Sequence, residues 1–227
     1  LLGVALHQAG EPEGALECLR LGVRSRRKDP TLHYNLGTVL ADAGDHSGAE
    51  SALREALKLG ITELHIVGGL HPNLPFSYYL EMLRALRALG PNLQLKCFTA
   101  IDVLHLAWLA KKSVRDVLVE LREAGLNSLT GGGAEIFRPE IRSQIAKGKE
   151  SAAEYLDVHR TWHGLGEQST CTMLYGHMES LADRVDHLRQ LRELQDETGG
   201  FIGFVPLAYQ PDNNRMPVRT RPSGFDS

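Results

Sequence analysis

Strand and helix patterns alternate along the chain from residue 61 onward. Five short apolar segments predict strands: ELHIV, LQLKCF, LNSLT, QSTCTML and FIGFVPLA. Amphipathic patterns between them predict helices over 76–89, 102–124 with a break, 151–165 and 181–198. Because strand–helix alternation with short connections gives parallel strands covered by helices, the sequence predicts an α/β fold.

The boundaries of these helices carry their own signals. Ser113 and Ser151 are suited to N-caps, and Glu154, three residues after Ser151, predicts a capping box. Pro75 suits the first position of a helix. Helix ends are predicted at three glycines: Gly90, Gly125 and Gly166.

The number of strand–helix units limits the type of sheet. A complete eight-unit parallel barrel takes about 250 residues, whereas residues 60–214 supply about five units. The sequence therefore predicts a partial (β/α) barrel with open strand edges. Ligand-binding residues of parallel sheets gather at the carboxyl ends of the strands. Candidate strand ends are Gly68-Gly69, Gly131-Gly132-Gly133, Tyr175-Gly176-His177 and Pro206.

The first sixty residues follow a different period. A shift of 34 residues places like residues on each other: Leu2-Gly3 on Leu36-Gly37, Leu6 on Leu40, Gly10 on Gly44, Ala15 on Ala49 and Leu19 on Leu53. Small residues at this spacing let two antiparallel helices approach closely, and leucines fill the seam between them. The pattern resembles the tetratricopeptide repeat (TPR) family and implies an α-helical segment over residues 1–59, before the barrel.

The repeat has two interpretations. As a TPR groove it would bind a protein partner. However, only about one and a half units are present, and such arrays usually need about three repeats for stability. The stability argument favours a remnant of a longer array.

Composition and charge exclude several functions. The net charge of −3 provides no basic field for nucleic acid. No apolar run approaches the roughly 20 residues that cross a bilayer, and no signal peptide is recognisable. We therefore expect no nucleic-acid or membrane partner and a cytoplasmic location.

Cysteines and histidines give no metal site by spacing. Cys18, Cys97 and Cys171 are scattered, which predicts buried thiols rather than disulfides or a metal knuckle. His159 and His163 stand one helical turn apart, but no third ligand follows them. The prediction is that these residues bind no metal.

The two ends of the chain look irregular. The sequence starts at Leu1 without a methionine, and residues 215–227 form a tail rich in Pro, Arg and Ser with no periodicity. We expect ends that are cut or irregular, and three regions: 1–59, 60–214 and 215–227.

Five segments of residues 61–214 together resemble the radical S-adenosylmethionine enzymes of the futalosine route to menaquinone, most closely aminofutalosine synthase. They are TELHIVGGLHPNLPF, LNSLTGGGAEIFRPEIR, TMLYGHMES, RVDHLRQLRELQDETGGF and FVPLAYQPDNN. The sister family, dehypoxanthine futalosine cyclase, shares GGGAEI. The segments HIVGGLHP and LRELQDETGGF fit the synthase better.

The resemblance implies a transferase that uses a [4Fe-4S] cluster and consumes S-adenosylmethionine. In that family the 5′-deoxyadenosyl radical adds to the enol-ether double bond of 3-[(1-carboxyvinyl)oxy]benzoate. Rearrangement and loss of the carboxyl group then give aminofutalosine.

The resemblance also implies cofactor-binding residues. Gly68 and Gly69 match the glycine pair that lets the backbone approach the methionine end of S-adenosylmethionine. Glu135 is placed to accept hydrogen bonds from the ribose hydroxyls, and Arg142 to pair with a carboxylate. Glu179 ends the segment that passes the adenosine.

Residues for the small-molecule substrate are less well defined by the resemblance. His71, Tyr175 and His177 are the candidates for substrate contact, and no catalytic residue is assigned. On residue type alone, Gly68-Gly69 also fits an ordinary tight turn, and Glu135 and Arg142 also fit solvated charges at a helix start.

One family feature is missing. The synthase family holds its cluster with a C-x3-C-x2-C motif in the loop after the first strand, and here the TPR segment occupies that position. Residues 47–59 suit both a second repeat helix and a first barrel helix. We therefore expect no cluster in this chain. Three hypotheses remain: descent from an aminofutalosine synthase, a binding module fused to a barrel remnant, and an accidental join.

Overall fold

The structure is a computed structural model of the full sequence, and it describes residues 2–212. Those residues form two compact units. One consists of residues 2–64 and 87–93, and the other of residues 65–86 and 94–212. The predicted irregular tail, 215–227, lies outside the described residues.

The first unit is built of paired helices. They are α1 (Leu2–Gln8), α2 (Pro12–Ser25), α3 (Pro30–Asp42) and α4 (His46–Lys58). Gly3 lies so close to Leu19 that an added Cβ would come within 2.7 Å of its Cγ. Gly37 lies in the same way against the Ala49 carbonyl, at 3.3 Å. The small residues at the repeat positions therefore allow the close helix approach that the sequence predicts.

The second unit contains the last four strands of a five-stranded sheet, the second half of the first strand and most of the helices of the sheet. The strands are β1 (Glu63–Ile66), β2 (Gln94–Cys97), β3 (Ser128–Leu129), β4 (Gln168–Tyr175) and β5 (Phe201–Ala208), in the order β1-β2-β3-β4-β5. β2 with β3, β3 with β4, and β4 with β5 are parallel pairs. The predicted half-barrel of parallel strands is confirmed.

The helices between the strands follow the predicted positions closely. They are α5 (Phe76–Leu89), α6 (Ala100–Ala110), α7 (Val114–Ala124), α8 (Pro139–Ile145), α9 (Ala152–Gly164) and α10 (Leu181–Thr198). The break in the pattern over 102–124 separates α6 from α7. Helix α8 was not predicted, because its seven residues are too few to show a helical period.

The cap signals act as the sequence predicts. The Ser113 hydroxyl accepts the Asp116 N–H, and Ser151 forms a capping box with Glu154. Gly125 ends α7 in the left-handed region, at φ 117°. Pro75 differs from the prediction, because α5 begins one residue after it, at Phe76. No helix within residues 2–212 is long and apolar enough to cross a bilayer.

A chain of buried hydrogen bonds joins the start of β4 to α9 and α10. Thr198 donates its hydroxyl hydrogen to the Leu194 carbonyl, so its oxygen accepts from His163 Nδ1 at 2.8 Å. His163 Nε2 then accepts from the Ser169 hydroxyl, and Ser169 Oγ accepts from His159 Nδ1, both at 2.8 Å. His159 Nε2 is buried and has no hydrogen-bond partner in the described part of the chain. The two imidazoles are therefore structural and neutral.

We predict that these histidines make stability depend on pH. Burial lowers the pKa of His159 to about 3 and that of His163 to about 4, whereas an unfolded histidine titrates near pH 6.5. Below about pH 6.5 the unfolded chain binds protons that the folded chain does not, so stability is full above that pH and falls on acidification. Each such histidine should contribute a slope of about 1.4 kcal/mol per pH unit.

Urea unfolding between pH 4.5 and 7.5 measures this slope. His159→Phe keeps an aromatic ring beside Tyr155 and Phe201. It should lower the slope by about 1.4 kcal/mol per pH unit, which is the contribution of one proton. Trp108→Phe, at an exposed position outside the network, removes no titratable group and should leave the slope unchanged. A stability that does not vary over this range would contradict the assignment.

Strand β5 carries exposed apolar side chains. Ile202, Phe204, Val205 and Leu207 are between 41% and 56% exposed. β5 pairs with β4 on one side and, within residues 2–212, with no strand on the other. An apolar strand edge of this kind promotes association.

We therefore predict concentration-dependent self-association, which sedimentation velocity would measure. Leu207→Lys should reduce the association, because a charge on the strand opposes pairing. Tyr78→Lys, at an exposed apolar position on α5, is the matched control and should leave it unchanged. A monomer at all concentrations would refute this prediction.

Candidate functional site

The candidate site lies where the strands of the sheet end. Hydrogen bonds join the end of β2 to the end of β3, and the turn after β3 to the first half of β4. Thr130, after β3, donates its N–H to the Phe98 carbonyl after β2, at 2.8 Å. The Gly131 N–H donates to Thr170 Oγ1 on β4, at 3.1 Å. These bonds hold the glycine turn after β3 against its neighbours.

The glycine pair after β1 borders a small apolar cavity. Gly68 and Gly69 line it together with Tyr79, Phe98 and Leu106, and its volume is about 120 Å³. A Cβ added to either glycine would meet no atom within 4 Å. Packing among the described residues therefore does not require glycine here, and the space beside this backbone is open to a ligand.

His71 shapes the loop that follows the pair. Its Nδ1 accepts the N–H groups of Asn73 and Leu74, at 3.2 and 3.1 Å. Its carbonyl accepts from His105 Nε2 at 3.2 Å. The ring is exposed and closes a local turn, and substrate contact by His71 stays a prediction.

The turn after β3 packs tightly against β4. A Cβ on Gly131 would lie 2.5 Å from Cys171 Cα and 2.6 Å from the Thr170 carbonyl oxygen. The Gly131 carbonyl in turn accepts from the hydroxyls of Tyr155, at 2.9 Å, and Thr172, at 2.6 Å. Only a residue without a side chain fits between these groups.

Glu135 adopts an unusual backbone conformation at the end of this turn. Its φ of 48° lies in the left-handed region, which costs a residue with a side chain roughly 1–2 kcal/mol. Its carbonyl accepts the Leu174 N–H at 3.0 Å. Its carboxylate pairs with Lys149 Nζ at 2.9 Å and is 17% exposed. Glu135 therefore presents a partly accessible acceptor beside a cation.

Arg142 is buried beneath the same turn. Its guanidinium donates to three backbone carbonyls: Glu150 at 2.6 Å, Ala134 at 2.6 Å and Gly133 at 3.0 Å. The carboxylate beside it is that of Glu150, at 3.3 Å. Burial raises the pKa of Glu150, and the charge of Arg142 opposes this shift. Pairing of Arg142 with a ligand carboxylate stays a prediction, but in the structure the guanidinium braces the turn.

Glu179 closes the turn after β4. Its carboxylate accepts the N–H groups of Gly176, at 2.6 Å, and His177, at 2.9 Å, and pairs with Arg184 at 2.8 Å. Burial favours the neutral acid, but these N–H groups outweigh it and hold the pKa of Glu179 below its usual value. The carboxylate is thus ionised and fully buried.

Tyr175 and His177 flank that turn. Tyr175 is buried, with the Arg184 guanidinium 5.3 Å from its ring centre. His177 Nε2 donates to the Leu174 carbonyl at 3.0 Å, and its Nδ1 accepts the Met178 N–H at 2.8 Å. Burial lowers the pKa of His177 more than nearby Glu179 raises it, so the ring is neutral. Both side chains face inward, and their contact with a substrate stays a prediction.

The cysteines do not fit an iron–sulfur cluster. Cys97 lies in β2 and Cys171 in β4, both buried, and burial raises the pKa of each thiol to about 12. Cluster iron binds thiolates. In the described residues, no three or more His, Cys, Asp or Glu side chains come together as a metal site.

Sequence reasoning missed the two residues that connect the turn to α9. Lys149 and Glu150 belong to no motif, and their neighbours form an ordinary loop. The one available signal was the charge pattern KGKE directly before the capping box.

Comparison with curated proteins identifies relatives of the chain. It is homologous to aminodeoxyfutalosine synthases, with 49% identity over 164 residues to the Thermus thermophilus protein and 40% over 251 aligned positions to the Streptomyces coelicolor protein. These matches cover 72% and 96% of this chain but 44% and 65% of the relatives. The chain thus spans about half to two thirds of their length.

Further relatives and a repeat family also match. The cyclic dehypoxanthine futalosine synthase of Streptomyces coelicolor is 40% identical over 172 residues, which is 76% of this chain and 43% of that protein. The sequence model of the tetratricopeptide repeat family matches residues 1–20 and 30–55. Among solved structures, Streptococcus suis SuiB has 10% identity, covers 96% of this chain and 57% of its own, and has a TM-score of 0.39. That score is too low to support an inference.

We predict that the glycines of the two strand ends differ in their effect on folding. Gly131→Ala should destabilise the chain by about 1–3 kcal/mol, because its Cβ meets backbone that cannot move aside. Gly69→Ala should change stability by less than about 0.5 kcal/mol, because its Cβ meets open space. Urea unfolding of both variants checks this, and equal losses would contradict the packing described here.

Proposed function

We propose that the chain is the S-adenosylmethionine-binding part of an aminodeoxyfutalosine synthase of menaquinone biosynthesis. One observation carries the proposal. A glycine pair that packing does not require borders a cavity at a strand end, in a chain 49% identical over 164 residues to a synthase. A cytoplasmic location and the regions 1–59, 60–214 and 215–227 belong to the same proposal.

In this proposal different strand ends bind different parts of S-adenosylmethionine. The Gly68-Gly69 backbone takes the methionine end, since nothing beside it blocks close approach. The Glu135 carboxylate accepts from the ribose hydroxyls, and the turn that buried Glu179 closes lies along the adenosine. His71, Tyr175 and His177 are assigned to the small-molecule substrate, an enol-ether benzoate.

Arg142 takes a supporting role in this arrangement. The sequence assigned it to a ligand carboxylate, but its three bonds to backbone carbonyls and its proximity to Glu150 favour the support of the Glu135 turn.

The [4Fe-4S] cluster is not supplied by the described residues. With the thiols of Cys97 and Cys171 buried in strands, the residues present do not fit it, and no step is assigned through it. We propose that this chain binds S-adenosylmethionine without performing the reaction by itself. The TPR segment is proposed to bind a protein partner.

The cyclase is the second candidate. The 40% identity over 172 residues to the cyclic dehypoxanthine futalosine synthase supports it. The higher identity to the Thermus thermophilus synthase over a similar length favours the synthase.

The binding part of the proposal is tested by titration calorimetry of the full chain with S-adenosylmethionine. Glu135→Ala should weaken binding by about 1.5–3 kcal/mol, because ribose hydroxyls lose a charged acceptor. Gly69→Val should weaken it at least as much, since a branched side chain blocks the backbone. Glu193→Ala, which removes an exposed acid on α10, is the control and should bind as the wild type does.

The reaction is tested in a chimeric protein. Residues 1–46 are replaced by a synthase segment that carries the cysteine motif, and the remaining synthase strands follow Asn214. This protein should convert S-adenosylmethionine and 3-[(1-carboxyvinyl)oxy]benzoate to aminofutalosine. A folded, cluster-bearing chimera that makes no product would refute the assignment to the synthase.

A further inference from the structure

A buried ion pair lies directly beneath the turn that carries Glu135. The Arg142 side chain is 6% exposed and the Glu150 side chain 0% exposed, with Nη2 and Oε1 at 3.3 Å. Neither carboxylate oxygen of Glu150 has a hydrogen-bond partner in residues 2–212. Burial raises the pKa of Glu150, but the Arg142 guanidinium 3.3 Å away favours the ionised carboxylate. Glu150 therefore contributes its charge to this contact rather than a hydrogen bond. A buried guanidinium without an opposite charge would be strongly unfavourable.

Arg142 links the Glu150 carboxylate to the backbone of the turn. Its Nη2 donates to the Gly133 carbonyl and its Nη1 to the Ala134 carbonyl. These are the two peptide groups immediately before Glu135, whose φ is 48°. A residue in the left-handed region keeps that conformation when its surroundings determine it. The two hydrogen bonds from Arg142 are the nearest such determinants on the amino-terminal side.

A second contact joins the same two segments of chain. Lys149, the neighbour of Glu150, pairs with the Glu135 carboxylate at 2.9 Å. The segment 149–150 thus contacts the turn twice, once through the buried Arg142 and once through the partly exposed Glu135. The glycine at 133 is part of the fit, because a Cβ there would lie 2.9 Å from Glu150 Oε1.

We propose that Glu150 is a positioning residue for ligand binding. Through Arg142 it holds the carbonyls of Gly133 and Ala134, and it thereby directs the Glu135 carboxylate toward the hydroxyls of a ribose-bearing ligand. The inference rests on the proposed function for the identity of the ligand. Its first step, the control of the turn by Glu150, rests on the contacts alone.

The alternative is that the pair supports folding and nothing more. The two roles differ in what they do to related ligands. A general loss of structure weakens the binding of every ligand of the site. Misplacement of the Glu135 carboxylate weakens only the binding of a ligand with ribose hydroxyls. An analogue without these hydroxyls makes no hydrogen bond with Glu135, so its affinity does not depend on that carboxylate.

The test uses the full chain, two ligands and three variants. The ligands are S-adenosylhomocysteine and its analogue without the 2′ and 3′ hydroxyls. Glu150→Gln keeps the shape of the side chain and removes its charge, while Glu150→Asp keeps the charge. Glu193→Gln is the matched control on the surface of α10. Affinities come from calorimetry. Hydrogen exchange of the Leu174 amide, which donates to the Glu135 carbonyl, reports on the turn.

Glu150→Gln should weaken the binding of S-adenosylhomocysteine at least tenfold. It should also speed hydrogen exchange of the Leu174 amide at least tenfold. It should change the affinity of the analogue less than threefold. Glu150→Asp should recover part of the lost affinity, and Glu193→Gln should match the wild type. If Glu150→Gln does not fold, the two ligands are compared with Glu150→Asp instead. This variant should lose three- to tenfold in affinity for S-adenosylhomocysteine and keep its affinity for the analogue.

Other outcomes separate the two claims. An equal loss for both ligands, or unchanged exchange at Leu174, would overturn the positioning role while leaving the proposed function standing. A wild-type chain that binds neither ligand would refute the proposed function, and with it the role of Glu150 in directing a ligand.

Discussion

The contact between Gly131 and strand β4 fixes the turn that leads to Glu135 in the candidate site. The Gly131 carbonyl accepts from Tyr155 on α9 and Thr172 on β4, and its N–H donates to Thr170. The turn is fixed to β4 at this point and again at Glu135, whose carbonyl accepts the Leu174 N–H at 3.0 Å. Arg142 also holds the turn, because its guanidinium donates to the carbonyls of Gly133 and Ala134. The position of the Glu135 carboxylate follows from these contacts.

Local signals were enough to predict much of the fold. Helix α10 matches its predicted span of 181–198, because a serine cap begins it and a left-handed glycine ends it. The strands were predicted from short apolar runs between the amphipathic helix patterns. The pairing of these strands followed from the rule that strand–helix alternation produces parallel neighbours. These features depend on residues close in sequence, which is why the sequence contains them.

The arrangement of charges was not predictable in the same way. Arg142 was interpreted as a residue for a ligand carboxylate, yet it lies 3.3 Å from the Glu150 carboxylate. Glu150 follows a short loop with no periodicity, and only the fold brings its side chain beneath the turn. The same holds for His159 and His163, whose shared partner is Ser169 at the start of β4. Contacts of this kind depend on how separate elements pack, which no local pattern encodes.

The strand ends are proposed to bind S-adenosylmethionine, although the described cysteines do not fit a cluster. A crystal structure of the full chain with S-adenosylhomocysteine would test this most directly. We expect the amino acid end of the ligand beside Gly68 and Gly69, and a ribose hydroxyl within about 3.2 Å of the Glu135 carboxylate. A ligand bound elsewhere, or no bound ligand at a saturating concentration, would contradict it.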